Sequence, residues 1–244
     1  MFSIVIPAHN EEAYIAACLD SVAGAARPYP GEVETVVVVN RCTDRTEAIA
    51  RQRGAVIVHE DARNLARIRN AGARAARGEI LCTIDADSRM SANMLQEIER
   101  RLSSGKYVGG GVRVKPDRWS LGIVVSAVIL LLLMIRSYVS GGLFWLYRRD
   151  FEALGGFDER WVCVEDLDFA RRLRAFGRAR GQRYGTLMRA HIRTSCRKFD
   201  QFGDWHMVLN PRRVRALLSG RDQKAADEYY YDARSPAQGR GDRQ

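Results

Sequence analysis

Four short runs rich in β-branched apolar residues, at 2–6, 33–39, 56–58 and 80–84, alternate with segments of helical periodicity, and few architectures accommodate that alternation. Strands that alternate with helices build parallel βαβ units, because a parallel connection needs a long crossover. The expected fold is therefore α/β, a doubly wound, mostly parallel sheet flanked by helices in a single domain. A chain of 244 residues, 46% hydrophobic and 28% charged, suits one such domain with a sizeable core. Helical stripes run through Ile15, Cys18, Leu19 and Val22 after Asn10, and through Leu95, Ile98 and Leu102 between Ser91 and Gly105. Asn10 and Ser91 are the expected caps, and the stripes are core.

In open sheets of this kind ligands bind beyond the carboxyl ends of the strands, so the residues directly after each strand are the candidates for chemistry. After the first strand comes Pro7-Ala8-His9-Asn10-Glu11-Glu12. Its acids also suit the first turn of a helix, where they offset the dipole. No GxGxxG follows this strand, which argues against a nicotinamide or flavin dinucleotide fold. After the second comes Asn40-Arg41-Cys42-Thr43-Asp44, with Asp44 and Glu47 at capping-box spacing. Asn40 has the donor and acceptor atoms needed to read the edge of a pyrimidine.

The strand at 80–84 ends in Asp85-Ala86-Asp87, which places two carboxylates on one side of an extended segment. Mg²⁺ and Mn²⁺ take oxygen ligands of this kind, completed by water and substrate phosphates. Two acids side by side at the end of a buried strand repel each other and need a cation or a basic neighbour. A second DxD, Asp166-Leu167-Asp168, follows Gly155-Gly156-Phe157-Asp158-Glu159 and opens a helix whose stripe is Phe169, Leu173 and Phe176. Glu165 and Asp166 suit the acid-favouring first turn, and Asp166 also qualifies as a general base toward a hydroxyl. His191 is a lone histidine whose worth as a ligand depends on meeting Asp87.

A formal charge of +10 favours anionic partners. The arginines from 171 to 193, with Arg212, Arg213 and Arg215, read as a solvated face or one drawn to anionic lipid, and the thin aromatic interleaving ranks nucleic acid low. Five cysteines without CxxC spacing indicate neither a zinc knuckle nor a disulfide framework and fit a reducing cytosol. The chain opens on an apolar strand with no basic segment before it, so no secretory signal is expected. The uncharged run at 119–135 is apolar all round and short for a span. A crossing there would put the acidic cluster near Asp166 across a bilayer from the earlier strand ends, so the run reads as buried or membrane-facing.

Taken in order, these motifs resemble the family 2 glycosyltransferases, over residues 2 to about 199. IPAHNEE resembles the family's first nucleotide-binding loop, which implies that Pro7, Ala8, His9 and Glu11 line a uridine or guanosine site. VVVNRCTDRT resembles the second loop, with Val39-Asn40 where the family often has an aspartate pair. Arg69-Asn70-Ala71-Gly72 matches the ARNxG element, which implies that Arg69 faces the donor nucleotide. Asp85-Ala86-Asp87 matches the family DxD, implying donor contact at Asp85 and metal at Asp87. Gly141-Gly142, Arg148-Arg149, Gly155-Gly156-Phe157, Glu165-Asp166 and Arg172 match the acceptor-side half, with the aspartate of the Glu165-Asp166 pair as base. His191 corresponds to a downstream metal-binding histidine, and Thr194-Ser195-Cys196-Arg197-Lys198 resembles a TSxR element of bacterial branches.

The resemblance implies a GT-A domain over 1–220, with the donor half at 1–90 and the acceptor half at 106–200; the polar, charged composition at 221–244 reads as a tail that ends in disorder. The resemblance also implies Mg²⁺ or Mn²⁺ as cofactor, a UDP- or GDP-sugar as donor, and inverting transfer to a hydroxyl. A lipid-linked or membrane-borne acceptor would suit the apolar run at 119–135, with the protein in the cytoplasm at the inner face of the plasma membrane and in peripheral contact with anionic lipid. Two other readings stay open: a catalytically silent nucleotide-sugar-binding protein, which has no need of a base, and a nucleotidyltransferase, which ordinarily carries a Gly-rich basic loop after its first strand.

Overall fold

The computed structural model describes residues 1–126, 128–129, 140 and 142–210. The expectations for 127 and 130–135 of the apolar run, for Gly141, for Arg212, Arg213 and Arg215, and for the tail at 221–244 lie outside the described residues.

Strands β1 (Phe2–Ala8), β2 (Val33–Val39), β3 (Val56–His59) and β4 (Ile80–Ile84) alternate with helices α1 (Ile15–Ala26), α2 (Thr46–Gln52) and α3 (Leu65–Ala75). There follow β5 (Ser88–Met90), α4 (Met94–Ser103), β6 (Tyr107–Pro116), β7 (Leu143–Tyr147), α5 (Arg148–Ala153), α6 (Glu165–Ala179), β8 (Arg183–Thr194), α7 (Arg197–Phe202) and α8 (His206–Leu209). Residues 121–126 are also helical. The strands form one sheet in the order β3-β2-β1-β4-β7-β6-β8-β5. β1, β2, β3 and β4 are mutually parallel, as β6 is to β8, whereas β7 runs antiparallel between β4 and β6 and β5 runs antiparallel to β8.

Both faces of the central strands are covered, which is why their sequences are nearly all apolar. Phe2, Ile4 and Ile6 of β1, with Val37 and Val39 of β2, pack with Ile15, Leu19 and Val22 of α1 and Leu95 and Ile98 of α4. Val5, Val36 and Val38 face the other way, onto Ala66 and Ile68 of α3 and Phe169 and Leu173 of α6. Helix α3 comes so close to the sheet that a Cβ on Gly72 would sit 2.4 Å from Val5 and 2.7 Å from Val38. Pro7 lies past the last β4 partner of β1, the Val5–Thr83 pair, so its missing N–H removes no ladder bond on that side.

The expected caps are corrected. Asn10 does not cap α1, which starts at Ile15; Asn10 takes a left-handed φ of 50° and its Oδ1 accepts from the Thr43 backbone N–H at 2.8 Å. Asp44 forms no capping box, because α2 starts at Thr46 and Asp44 instead accepts from the backbone of Thr46 and Glu12. Helix α4 starts after Asn93, two residues past Ser91, whose carbonyl accepts from Met94 N–H.

Among the described residues no helix is long and apolar enough to cross a membrane. Ile123 is buried, whereas Trp119 and Leu121 are 65% and 70% exposed. Gly122 packs against the Asp204 backbone, and Arg118 holds Asp200 and Asp204, so the start of the apolar run is docked onto α7 and the segment that follows it.

Candidate active site

The ends of β1, β2 and β4 converge, and Asp85 leads away from the last of these. The β1 carbonyl of Ala8 accepts from Asn40 N–H at 2.8 Å, and His9 Nδ1 donates to the Asn40 carbonyl at 2.6 Å. A carbonyl only accepts, so Nδ1 carries a proton. Pro7, Ala8 and His9 are all buried here. The reading of Asn40 as a base reader is corrected: its side chain is 1% exposed, and Nδ2 spends both hydrogens on the carbonyls of Glu60 and Ala62, at 2.5 and 2.9 Å. Asn40 ties β2 to the loop after β3.

Two arginines hold the acids. Arg69, on α3 and 4% exposed, donates from Nη1 to Glu165 at 2.7 Å and to Asp166 at 2.5 Å, and from Nη2 to Asp85 at 2.9 Å. In this structure the η nitrogens of Arg69, the arginine expected to face the nucleotide, are held by the three carboxylates. Its guanidinium carbon lies 5.3 Å from the centre of the Phe157 ring, which stacks on Phe169 at 4.2 Å. The next residue, Asn70, donates to the Phe157 carbonyl and accepts from the Phe157 N–H, both at 2.9 Å. Gly156, at φ 70°, leaves no room for a Cβ against Asn70. Arg172 donates to the carbonyls of Leu154 and Gly156. The ARNxG and GGF motifs are thus two halves of one joint that brings the start of α6 to the end of β4.

Three carboxylates around one guanidinium leave excess negative charge. Burial pushes the Glu165 carboxyl well above its ordinary value, and Asp166 pushes it further while Arg69 pulls it back. Removal from water also raises Asp166, against the pull of Arg69 and with a further push from Asp85. Asp85 and Asp166 keep 43% and 33% of their side-chain surface, so each presents part of its side chain to solvent. Just before them Val164 adopts a left-handed φ of 58°, an outlier for a β-branched residue.

The second arginine, Arg197 at the start of α7, holds Glu11 through both nitrogens and reaches Asp87 Oδ2 at 2.9 Å. Sequence reasoning saw the TSxR motif and gave its arginine no role; the motif was the available signal. Asp87, Asp85 and Glu11 all act on the buried Cys18 thiol, which burial and these charges push far up, and the Cys18 Sγ donates to the Asp85 carbonyl. The acids of β1 and β4 therefore share one neighbourhood.

His191 is not part of it. The β8 strand pairs Thr194 with Ser88, and Ser195 N–H donates to the Asp87 carbonyl, whereas His191 sits beside Ser91. Four residues of strand separate the two levels, roughly 13 Å. Partial burial and the charges of Lys115, Arg193 and Arg113 hold the His191 pKa down. Its expected role as metal ligand beside Asp87 is corrected on this geometry. Among the described residues no three His, Cys, Asp or Glu side chains form a metal-binding group. Asp85 and Asp87 still fit Mg²⁺ or Mn²⁺, which are commonly held by one or two carboxylates with substrate phosphates completing the shell.

Residues 3–153 match the profile of Glycosyl transferase family 2. The chain belongs to glycosyltransferase family 2. The uncharacterized glycosyltransferase EpsJ of Bacillus subtilis is 30% identical over 103 residues, 40% of this chain and 29% of EpsJ. The uncharacterized glycosyltransferase Rv0539 of Mycobacterium tuberculosis is 32% identical over 111 residues, 46% of this chain and 48% of Rv0539. The matched stretches span less than half the length of either relative. Among solved structures, Staphylococcus aureus TarS 1-349 in complex with UDP-GlcNAc superposes with a TM-score of 0.63 at 18% identity, over 93% of this chain and 70% of that one. The mannosyltransferase PcManGT of Pyrobaculum calidifontis, in complex with GDP-Man and Mn²⁺, gives 0.64 at 19%, over 95% and 70%. Glucosyl-3-phosphoglycerate synthase of M. tuberculosis, with Mn²⁺, UDP and glucosyl-3-phosphoglycerate, gives 0.59 at 21%, over 91% and 79%. These likenesses establish the GT-A fold for this family 2 chain, and the Arg69 joint carries that fold past residue 153, where the family match ends, to Asp166.

Proposed function

We propose that this chain is an inverting glycosyltransferase that moves a sugar from a nucleoside diphosphate sugar, UDP- or GDP-linked, to an acceptor hydroxyl. The observation that carries the reading is the Arg69 guanidinium, which ties Asp85 of the DxD to Glu165 and Asp166 at the start of α6. A donor-side acid and a candidate base thereby share one rigid support.

Asp166 takes the proton of the acceptor hydroxyl as that oxygen attacks the anomeric carbon from the side opposite the diphosphate; the carbon–oxygen bond to the diphosphate breaks and the configuration inverts. Its raised pKa suits it to hold that proton. Glu165 and Arg69 fix its position. Asp87, with Asp85 beside it, is the residue to hold Mg²⁺ or Mn²⁺, whose chemistry is to offset charge on the departing diphosphate. Glu11, His9, Ala8 and Pro7 form the buried wall behind the donor site rather than free recognition groups.

The domain bounds we propose are 1–220, with the donor half at 1–90 and the acceptor half at 106–200. The acceptor we propose is lipid-linked or membrane-borne, reached from the cytoplasmic face. Exposed Trp119 and Leu121 and the charge of +10 support it. Failure to co-sediment with anionic liposomes at low salt would remove the membrane part alone.

The experiment for the donor site is calorimetric titration with UDP, GDP, CDP and dTDP, each with and without Mn²⁺. Metal-dependent binding of one diphosphate is the expected result, and absence of binding for all four would overturn the reading.

A further inference from the structure

Arg197 lies outside the stretch that matches the family profile and is the shared counter-ion of two acids from different strand ends. Its two holds are unequal. Glu11 is 2% exposed and takes both η nitrogens, at 2.6 and 2.8 Å, a buried bidentate anchor. Asp87 is more exposed and shares one of those nitrogens through a single oxygen at 2.9 Å. The guanidinium carbon lies 5.2 Å from the centre of the Tyr14 ring, which supports it from α1's leading edge.

The charges decide what this arrangement admits. With Glu11 and Asp87 ionised, a bare divalent cation at Asp87 would stand close to the charge of Arg197. A cation that arrives with a diphosphate brings its own negative charge, and the diphosphate offers the guanidinium new acceptors.

We propose that Arg197 is a further donor-binding residue: anchored on Glu11, it neutralises Asp87 while no donor is present and passes from Asp87 to the diphosphate oxygens when the donor arrives with its cation. The inference rests on the donor-site reading above. Arg197 then opposes metal alone and favours metal together with diphosphate, which makes the two bind synergistically.

The test is calorimetry on the full chain with MnCl₂ alone, with the preferred nucleoside diphosphate, and with the matching monophosphate. The variants are R197K and the double variant E11Q/R197Q, which leaves no buried Glu11 charge unpaired. The double variant is expected to bind Mn²⁺ alone several-fold more tightly and the diphosphate with Mn²⁺ at least about tenfold more weakly, with a smaller preference for diphosphate over monophosphate. R197K keeps the charge, loses the fork, and shifts the diphosphate in the same direction should the double variant not fold. Wild-type binding of a diphosphate together with unchanged diphosphate affinity in the variants overturns the role of Arg197 and leaves the donor site standing. Equal weakening of mono- and diphosphate also overturns it, because that is structural damage. No diphosphate binding by wild type sinks the donor site and this inference together.

Discussion

Arg69 reaches across 97 residues of sequence to donate to Asp166 at 2.5 Å. The same guanidinium holds Asp85, so the placement of Asp166 is set by a residue of α3. Breaking such a buried pair by removing one partner costs about 3–5 kcal/mol, because the other charges stay behind uncompensated. The motifs of the two halves are therefore coupled through their charges as well as through the fold.

Asp166→Asn keeps the shape and removes the proton acceptor. Turnover is expected to fall by about 10²–10⁴, the usual worth of general-base help, with nucleoside diphosphate affinity unchanged. Steady-state rates beside calorimetry decide it, and turnover close to wild type would take Asp166 out of the mechanism.

The raised pKa of Asp166 fixes the sign of the pH dependence. The base works ionised, so activity falls as pH drops through the raised value, above the ordinary aspartate value of about 3.9. A kcat/KM profile should show its acid limb there. Glu165 tests the same physics through stability: its folded pKa is raised above the unfolded one, so its contribution is full below the ordinary glutamate value and lost as pH rises through the raised value. Glu165→Gln should gain stability relative to wild type as pH rises over that window, as read by urea denaturation; a pH-independent difference would contradict the shift.

Val164→Gly should stabilise the chain. A left-handed φ of 58° costs a β-branched residue about 1–2 kcal/mol, and glycine returns about 0.5–1 kcal/mol of that as backbone entropy. A net gain of up to about 1 kcal/mol in denaturant titration is expected. A loss would mean that the Val164 side chain contributes packing of greater worth than the strain.

Asp87→Ala should weaken Mn²⁺ and donor diphosphate together, whereas His191→Ala should leave Mn²⁺ affinity within about twofold, since His191 pairs beside Ser91 and faces Arg113, Lys115 and Arg193. A large loss in the histidine variant would return it to the metal site.

The strands of the first half were legible because burial on both faces leaves an uninterrupted apolar record: 33–39 and 80–84 coincide with β2 and β4. β7 and β8 were not. β7 is apolar too, but nothing local says that it runs antiparallel between β4 and β6. In β8 the buried Gly185, Leu187, Ala190 and Ile192 are separated by Thr186, by Met188 and Arg189, and by His191, and the arginines at 183, 189 and 193 masked the strand pattern. The acids gathered at the candidate site stand out in the sequence by their places after strands and at a helix start. Their arginine partners were harder to find, because a salt bridge across 97 or 186 residues leaves no periodicity. Asn40 and His191 show the converse, residues of the right chemical type whose atoms the fold turns to other partners.

The antiparallel β7 also has a consequence for the nascent chain. β4 is complete at Ile84, yet its second neighbour begins only at Leu143, so one flank of the growing sheet stays unpaired while residues 85–142 are made. At about 5–20 residues per second the ribosome takes several seconds over that stretch. During that interval an apolar strand with open hydrogen-bonding groups is a ready template for the wrong partner. Expression yield should therefore depend on translation speed through 85–142 and on chaperones that shield the exposed strand until β7 arrives.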